Sequence, residues 1–367
     1  MDIKKATTAY EAWLGGKIPL IDVDLRLKHQ RMAQSPFPFL RATFYRWVQR
    51  WPQVCPELAN APVVLGVGDL HVENFGTWRD GEGRLIWGVN DFDETALIPY
   101  TNDLVRLAVS ARLAIRENHL SCDPTDACDA ILAGYREGFG KSGAPFVLAE
   151  QHRWLRDLAT SGLRDPTVYW QKFNQLPTVR AGLLPAVNAA LNQALPELGL
   201  PFRVVHRQSG LGSLGRRRFT ALAEWRGGWI AREAKELVGS AWHWEKKGRG
   251  GTGILYQRAT DQAVRVPDPF VKVNGQWLIR RLAPDCSRIE LGSLPKTRDQ
   301  LRLLHAMGWE AANIHLGTKA AVGLVLKDLN KRPSKWLRRA AEAMVKATLE
   351  DWKGLAKPHS QQPQAPR

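Results

Sequence analysis

The chain has 367 residues, a length that suits two lobes or domains better than one small core. Its apolar share of 44% and charged share of 24% are those of an ordinary globular protein. Lysine and arginine number 52 against 36 aspartates and glutamates, and the resulting net charge of +16 favours an anionic partner. No nucleic-acid-binding motif accompanies these charges, so solvated faces are the favoured explanation for most of them.

Two further features bear on the cellular compartment. No apolar run approaches the roughly 20 residues that span a bilayer, and residues 1–10 lack the apolar block of a secretory signal. The four cysteines form no C-x-x-C pair, so reduced and mostly buried thiols are expected instead of disulfides or a zinc site. We therefore expect a cytoplasmic protein without a membrane span.

The first half of the chain is mainly helical in its patterns. Residues 1–60 predict basic helices interrupted by prolines. Apolar runs predict strands at Val63–Leu65 and Arg84–Asn90, with a polar loop after the first of them. Apolar spacing then predicts a helix that begins at Asp103 as N-cap, and further helices fill 125–196.

The second half begins with strand-like patterns. Strands are predicted at Phe202–His206, Arg217–Trp225, Trp229–Ala234, Phe270–Val273 and Trp277–Leu282. Asn274-Gly275 predicts a hairpin between the last two strands. Helices are predicted over Leu237–Lys246 and Thr297–Leu316, and the Pro- and Gln-rich tail predicts disorder.

These patterns divide the chain into five regions. They are an N-terminal helical extension (1–60), a helical catalytic region (61–200), a β-rich nucleotide-binding region (201–285), returning helices (286–350) and a disordered tail (351–367).

The most informative motif is Gly68–Gly76, followed by Val89–Glu94. Phosphoryl transfer needs a carboxylate that orients the attacking hydroxyl and oxygen ligands that hold magnesium against the nucleotide phosphates. Asp69, Asn74 and Asp91 supply these groups, and each motif follows an apolar strand. A strand–turn–strand with surface Asp and Asn residues is the alternative. Asp93 and Glu94 could bind a second metal or be exposed to solvent.

The second motif is a G-x-G-x-x-G run at Gly210, Gly212 and Gly215, which includes Ser213. A dinucleotide-binding turn would open a helix, whereas this run is followed by strand-like sequence, which favours a hairpin over phosphates. Lys235 lies twenty residues beyond Gly215, at the end of a predicted strand, and could reach the same phosphates.

Glu245, rather than Glu236, is the acidic partner that we expect for Lys235. Arg216–Arg218 could neutralise phosphates or form a solvated turn.

The first motif resembles the G-D-x-H-x-x-N and (I/V)-D-F loops of aminoglycoside- and choline-kinase-like phosphotransferases. The resemblance implies a catalytic base at Asp69, magnesium ligands at Asn74 and Asp91, and a loop-bracing carboxylate at Asp103. The chain departs from this pattern at Val67, where many of those enzymes have His.

The glycine run of ordinary kinases precedes the catalytic loop, whereas Asp69 comes about 140 residues before Gly210 here. A circular permutation would explain the inversion, because 202–316 followed by 62–196 restores the kinase order. Thr297–Leu316 would then be the helix that leads into the catalytic loop, and 280–284 the hinge. The expected fold is therefore α+β, two-lobed and protein-kinase-like, circularly permuted, with the catalytic helical lobe first.

The order of the motifs in this chain also resembles their order in a bacterial family catalogued as domain of unknown function 2252. The resemblance extends over most of the chain and rests on 31–41, the Gly68–Glu94 loops, 103–108, 210–215, 234–236 and 279–282. The chain departs from the family at Ala42, where Gly is usual. The resemblance supports the permuted fold and implies no substrate.

The leading hypothesis is an ATP- and Mg²⁺-dependent phosphotransferase that acts on a hydroxyl acceptor, for which the basic surface slightly favours an acidic molecule. Nucleotidyl transfer would use the same residues. An inactive nucleotide-binding regulatory module and a basic nucleic-acid-binding protein are the alternatives. Affinity for nucleic acid that falls steeply with salt would distinguish the latter.

Overall fold

The computed structural model describes residues 1–161, 165–179, 183–248, 253–286 and 297–356. Within these residues the chain forms fifteen α-helices and ten strands in three sheets. The predicted mixed α+β class is therefore confirmed. None of the described helices combines the length and apolar character needed to cross a membrane.

Five helices form the N-terminal region, as predicted: α1 (Ile3–Gly15), α2 (Asp22–Gln34), α3 (Pro36–Ala42), α4 (Phe44–Val54) and α5 (Pro56–Ala59). The Asp2 carboxylate caps α1 by accepting a 2.9 Å hydrogen bond from the Lys5 N–H. Pro36 and Pro56 begin helices, a position at which the missing N–H has no consequence. These prolines therefore set helix boundaries.

Five short strands follow: β1 (Val63–Gly66), β2 (Phe75–Arg79), β3 (Leu85–Val89), β4 (Ala96–Pro99) and, further along, β5 (Phe146–Val147). β1 pairs antiparallel with β4, and β2, β3 and β5 form a second sheet. The strands predicted at Val63–Leu65 and Arg84–Asn90 are present as β1 and β3. The two sheets hold the loops after β1 and β3 close to one another.

The helix predicted to start at Asp103 begins earlier. Helix α6 spans Tyr100–Arg116 with Pro99 at its N-cap position. Asp103 lies in the first turn, and its carboxylate accepts hydrogen bonds from Val67 and Gly68 instead of capping α6. The prediction of Asp103 as N-cap was wrong because its carboxylate binds backbone amides that lie about 35 residues earlier in the sequence.

Four helices occupy the stretch predicted to be helical: α7 (Pro124–Gly140), α8 (Arg153–Ser161), α9 (Pro166–Asn174) and α10 (Pro185–Ala194). Prolines occupy the first turn of three of them, where their fixed φ suits a helix start. Helix α10 packs against one face of the sheet that follows.

The third sheet is the β-rich region. Its strands are β6 (Arg203–Val205), β7 (Arg218–Trp225), β8 (Gly228–Glu236), β9 (Lys272–Asn274) and β10 (Trp277–Leu282), in the order β6-β7-β8-β10-β9. All neighbouring strands are antiparallel, and Gly275 at φ 57° forms the predicted hairpin turn. Two short helices, α11 (Ala241–Glu245) and α12 (Tyr256–Gln262), lie between β8 and β9, so the helix predicted over Leu237–Lys246 is shorter than expected.

Three helices complete the described chain: α13 (Thr297–His315), α14 (Val322–Lys331) and α15 (Trp336–Ala356). Helix α15 returns to the N-terminal helices, where the buried Arg46 guanidinium lies 2.7 Å from the Asp351 carboxylate. The tail predicted to be disordered from residue 351 is thus helical to Ala356, and 357–367 lie outside the described residues.

Helices α7 and α13 pack closely through glycines. A Cβ added to Gly308 would lie 2.0 Å from the Ile131 carbonyl oxygen, and one added to Gly134 would lie 1.8 Å from the His305 carbonyl oxygen. Backbone atoms cannot move aside as flexible side chains do. We expect Gly308→Ala to destabilise the protein by about 2–3 kcal/mol through overpacking.

Gly323→Ala is the matched control for that prediction. Gly323 is also helical, but an added Cβ would meet no atom within 4 Å. Gly323→Ala should therefore raise the free energy of unfolding, by less than about 1 kcal/mol. Urea denaturation of both variants measures the difference, and equal stabilities would disprove the close-packing argument.

Candidate functional site

A cavity of about 590 Å³ lies where the loops after β1 and β3 meet the β-rich region. It is lined by most of the residues that the sequence singled out: Asp69, Asn74, Asp91, Asp93, Gly210, Gly212 and Ser213. The structure therefore brings together two motifs that are far apart in sequence.

The loop after β1 is held in place by Asp103. Its carboxylate accepts hydrogen bonds of 2.7 Å from the Val67 N–H and 2.9 Å from the Gly68 N–H. His315, at the end of α13, contacts the same carboxylate at 3.0 Å through Nε2. Gly68 adopts φ 83°, and an added Cβ would lie 2.2 Å from the Glu94 carbonyl oxygen. Asp103 thus holds the backbone of the loop after β1 through two hydrogen bonds.

Asp69 faces the cavity from this loop and pairs with Arg106. The Arg106 Nε donates a 2.7 Å hydrogen bond to Asp69 Oδ1. Burial raises the pKa of the Asp69 carboxyl to about 7, although Arg106 opposes the rise. Asp69 can therefore exchange a proton near neutral pH, as a general base must.

Arg106 is a site residue that the sequence reasoning missed. Its side chain is fully buried, donates a 2.8 Å hydrogen bond to the Leu40 carbonyl and lies over the rings of Phe44 and Trp47. A signal was available, because Arg106 follows Asp103 by three residues, so both lie on the same face of a predicted helix whose positions 104, 105, 107 and 108 are apolar. A buried charge on such a face requires a partner.

Asn74 links the two acidic loops. Its side-chain Nδ2 donates a 2.5 Å hydrogen bond to the Asp69 carbonyl, and its own carbonyl accepts a 3.0 Å bond from the Asn90 N–H. The Asn74 side-chain oxygen is then the atom that can face a cation. Asn74 and Asp91 consequently line the same part of the cavity.

Asp91 and Asp93 share one buried lysine. Lys235 Nζ lies 3.5 Å from Asp91 Oδ1 and 2.5 Å from Asp93 Oδ2, although Lys235 and Asp91 are 144 residues apart. Burial pushes the pKa of Asp91 upward, but Lys235 and hydrogen bonds from Asp93 outweigh it and hold this pKa below its usual range. Burial and the neighbouring Asp91 raise the pKa of Asp93. The Asp91 side chain is 38% exposed and that of Asp93 is 9% exposed, so Asp91 is the carboxylate more open to a ligand.

The donor set fits a magnesium ion that is bound together with phosphates. Among the described residues, no three His, Cys, Asp or Glu side chains are grouped so that they could hold an ion by themselves. Magnesium usually takes one or two carboxylates and completes its shell with phosphates and water. Asp93 Oδ1 is buried without a hydrogen-bond partner among the described residues, so it could bind the ion or accept a hydrogen bond from a water molecule of the ion's shell.

Glu94 is buried, so the prediction that it is exposed to solvent was wrong. Its carboxylate lies 3.2 Å from Arg216 Nη2 and accepts a 2.7 Å hydrogen bond from the Ala241 N–H. Arg216 Nη1 also lies 3.5 Å from Asp93 Oδ2. Arg216 is thus buried beside the acidic loop, and the solvated-turn alternative for this residue is wrong.

Glu245 does not join the site. It ends the short helix α11 and lines a different cavity, together with Trp13 and Trp244. Among the described residues, the carboxylates that contact Lys235 are Asp91 and Asp93. Glu236, which follows Lys235, pairs with Arg217 instead. Strand alternation explains this, because Glu236 points to the opposite face of β8 from Lys235.

The glycine run connects the antiparallel strands β6 and β7, as the hairpin interpretation predicted. Its centre is a 3₁₀ turn at Leu211–Ser213, and a strand follows the last glycine, where a dinucleotide-binding turn would have a helix. Gly210 has φ 74° and Gly215 has φ 97°. A Cβ added to Gly212 would lie 3.6 Å from Asp69 Oδ2, so the glycine run lies directly beside the predicted base.

Helix α2 holds the glycine run against the cavity. The Lys28 ammonium donates a 3.0 Å hydrogen bond to the Gly212 carbonyl, and the Ile21 N–H donates one of 2.9 Å to the Gly215 carbonyl. Burial lowers the pKa of Lys28, which lines the cavity, to about 8. The N-terminal helices are therefore part of the site.

Residues 20–154 match the model of a family described as an uncharacterized protein conserved in bacteria, domain of unknown function 2252. This region contains α2, the loops after β1 and β3, and α6. No curated protein and no solved structure matches the chain.

Proposed function

We propose that the protein is an ATP- and Mg²⁺-dependent phosphotransferase with a circularly permuted, two-lobed, kinase-like fold. The observation that carries the proposal is the contact of Lys235 with Asp91 and Asp93 beside Asp69. A lysine, a metal-binding carboxylate and a base are the groups that phosphoryl transfer requires. ATP and magnesium are supplied in the cytoplasm, where we expect the protein to act.

Each group has a role in this chemistry. Asn74 and Asp91 would hold the magnesium ion, which would neutralise the charge of the nucleotide phosphates. Asp69 orients the acceptor hydroxyl and accepts its proton, since a pKa of about 7 suits a base near neutral pH. Arg106 fixes the direction of the Asp69 carboxylate, and the glycine run covers the phosphates.

The permutation is supported by the place where α13 ends. His315 contacts Asp103, and the Thr318 hydroxyl accepts a 2.8 Å hydrogen bond from the Leu65 N–H of β1. The end of α13 thus lies against the strand that leads into the Asp69 loop. A chain joined at this point would run from the β-rich region through α13 to the catalytic loop.

The acceptor is a molecule with a hydroxyl group, and the basic character of the chain favours an acidic one. Turnover of ATP in the presence of Mg²⁺ tests the proposal. Wild-type protein should release ADP, even with water as the acceptor, and Asp91→Ala should lower the rate by at least about 100-fold because phosphate charge is no longer neutralised. Equal rates in the two proteins would contradict the proposal.

A further inference from the structure

Strand pairing places several charged residues on one face of the five-stranded sheet. Glu233 and Lys235 are two positions apart on β8, and Arg280 of β10 is opposite Glu233. Arg218 of β7 is opposite Lys235. Residues opposite one another in antiparallel strands share a face. Because Lys235 reaches Asp91, this face is directed towards the cavity.

Glu233 lies at the centre of an arginine cluster, which we define as Arg207, Arg218 and Arg280. Its carboxylate contacts these three guanidinium groups at 2.8, 2.7 and 2.7 Å. Burial opposes ionisation of Glu233, but the arginines outweigh burial and hold its pKa well below the usual range. Within this cluster one negative charge faces three positive charges, and Asp91, which also acts on Arg280, is already shared with Lys235. An excess of positive charge that is only partly exposed to solvent favours the binding of an anion.

Two members of the arginine cluster line the cavity. Arg207 and Arg280 are lining residues, each with a side chain that is 22% exposed. Arg218 is buried beneath them and donates a 3.0 Å hydrogen bond to the Ser213 hydroxyl. The Arg207 Nε is buried and has no hydrogen-bond partner among the described residues. Arg207 and Arg280 are thus the arginines that can meet a ligand.

We propose that Arg207 and Arg280 bind the polyphosphate chain of the nucleotide and that Glu233 positions them for it. This inference rests on the proposed function and assigns to it a phosphate-binding subsite. Lys235 is buried and already shared between Asp91 and Asp93, so the phosphates need further cations. Guanidinium groups supply several N–H donors in a planar arrangement that suits phosphate oxygens.

The order of side chains along the sheet agrees with this assignment. Leu282 packs with Tyr169 and Phe173, and Leu282 and Tyr169 line the cavity. Arg280 is two residues from Leu282 on β10, and the pair Leu278–Lys235 is two residues further. Each two-residue step is about 7 Å. A nucleotide base at the apolar end would therefore place its phosphates at the arginines and its terminal phosphate near Asp91.

Binding of inorganic triphosphate and of adenosine to the full chain tests the proposal by calorimetry at constant ionic strength. Arg207→Met and Arg280→Met should each weaken triphosphate binding by about 10-fold or more, because a charge-assisted hydrogen bond is lost. Adenosine affinity should stay within twofold. Arg280→Lys keeps the charge and should lose less than Arg280→Met, which gives a result even if Arg280→Met folds poorly.

Arg217→Met is the matched control. Arg217 directly precedes β7, pairs with Glu236 and does not line the cavity. The affinity of the Arg217→Met variant for triphosphate should stay within twofold of the wild-type affinity. Equal losses in the Arg217 and Arg280 variants would show a general charge effect and overturn the proposal.

Three other outcomes separate this proposal from the proposed function. Unchanged triphosphate affinity in the Arg207 and Arg280 variants would remove the subsite, while ATP turnover by the wild type would keep the phosphotransferase. Triphosphate binding that requires the arginines, in a protein that transfers no phosphoryl group, would keep the subsite and remove the phosphotransferase. Simultaneous binding of triphosphate and ATP would assign the arginines to an anionic acceptor and would also overturn the proposal.

Discussion

Asp69→Asn should lower the rate of phosphoryl transfer by about 10²–10⁴-fold while ATP affinity stays within a few-fold of the wild type. The amide keeps the size of the side chain but cannot accept the proton of the acceptor hydroxyl. Turnover with the wild type should rise with pH up to about 7 and then level off, because the pKa of Asp69 is raised to about 7 and the ionised form is the base. Single-turnover kinetics between pH 5.5 and 8.5 measure both effects.

Glu82→Gln is the control for that experiment. Glu82 is an exposed acid in the turn between β2 and β3, and it does not line the cavity. Its removal should leave both rate and pH profile unchanged. If Asp69→Asn kept the wild-type rate and pH profile, Asp69 would not be the base.

Asp103→Ala should reduce the free energy of unfolding by about 3–5 kcal/mol. The substitution removes the acceptor for the Val67 and Gly68 N–H groups and the partner of His315, all of which are buried. Denaturant titration measures the loss. Asp103→Asn retains one acceptor oxygen and should lie between the wild type and the alanine variant.

Asp126→Ala provides the comparison for a carboxylate in the first turn of a helix. Asp126 lies in the first turn of α7, as Asp103 lies in the first turn of α6, but the Asp126 side chain is exposed. Its loss should cost only about 0.3–1 kcal/mol, through the helix dipole. Similar losses in the two alanine variants would refute the bracing role of Asp103.

Local sequence patterns predicted much of the secondary structure. The apolar runs predicted β1 and β3, and Asn274-Gly275 predicted the hairpin between β9 and β10, because these signals depend on neighbouring residues alone. β2, β4 and β5 were missed, the last of them inside the stretch predicted to be helical. Each is only two to five residues long, so its pairing with β3 or β1 decides its conformation.

The errors in the candidate site have one physical origin. Asp103 was predicted to be an N-cap, and Glu245 was predicted to be the partner of Lys235, because reasoning from local patterns favours nearby partners. The structure gives Asp103 the amides of Val67 and Gly68, and gives Lys235 the carboxylates of the loop after β3. Contacts of this kind depend on tertiary packing, which local patterns do not encode.

The interpretation that most of the basic residues lie on solvated faces does not hold for Arg216 and Arg218. Arg216 and Arg218 are each only 4% exposed, so these charges are not part of a solvated face. They pair with Glu94 and Glu233 around the cavity. These two arginines are therefore paired with buried carboxylates, an arrangement that a count of charged residues cannot reveal.

The central claim is that one site, built from two distant segments, binds ATP and magnesium together. Thermal unfolding of the wild type and of Asp91→Ala, with ATP, with Mg²⁺ and with both, tests it most directly. For the wild type, the two ligands together should stabilise far more than either alone, by about 2.7 kcal/mol at a free ligand concentration of 100 Kd. In Asp91→Ala the added effect of Mg²⁺ should disappear. Stabilisation by ATP that is the same with and without Mg²⁺ in the wild type would contradict the claim.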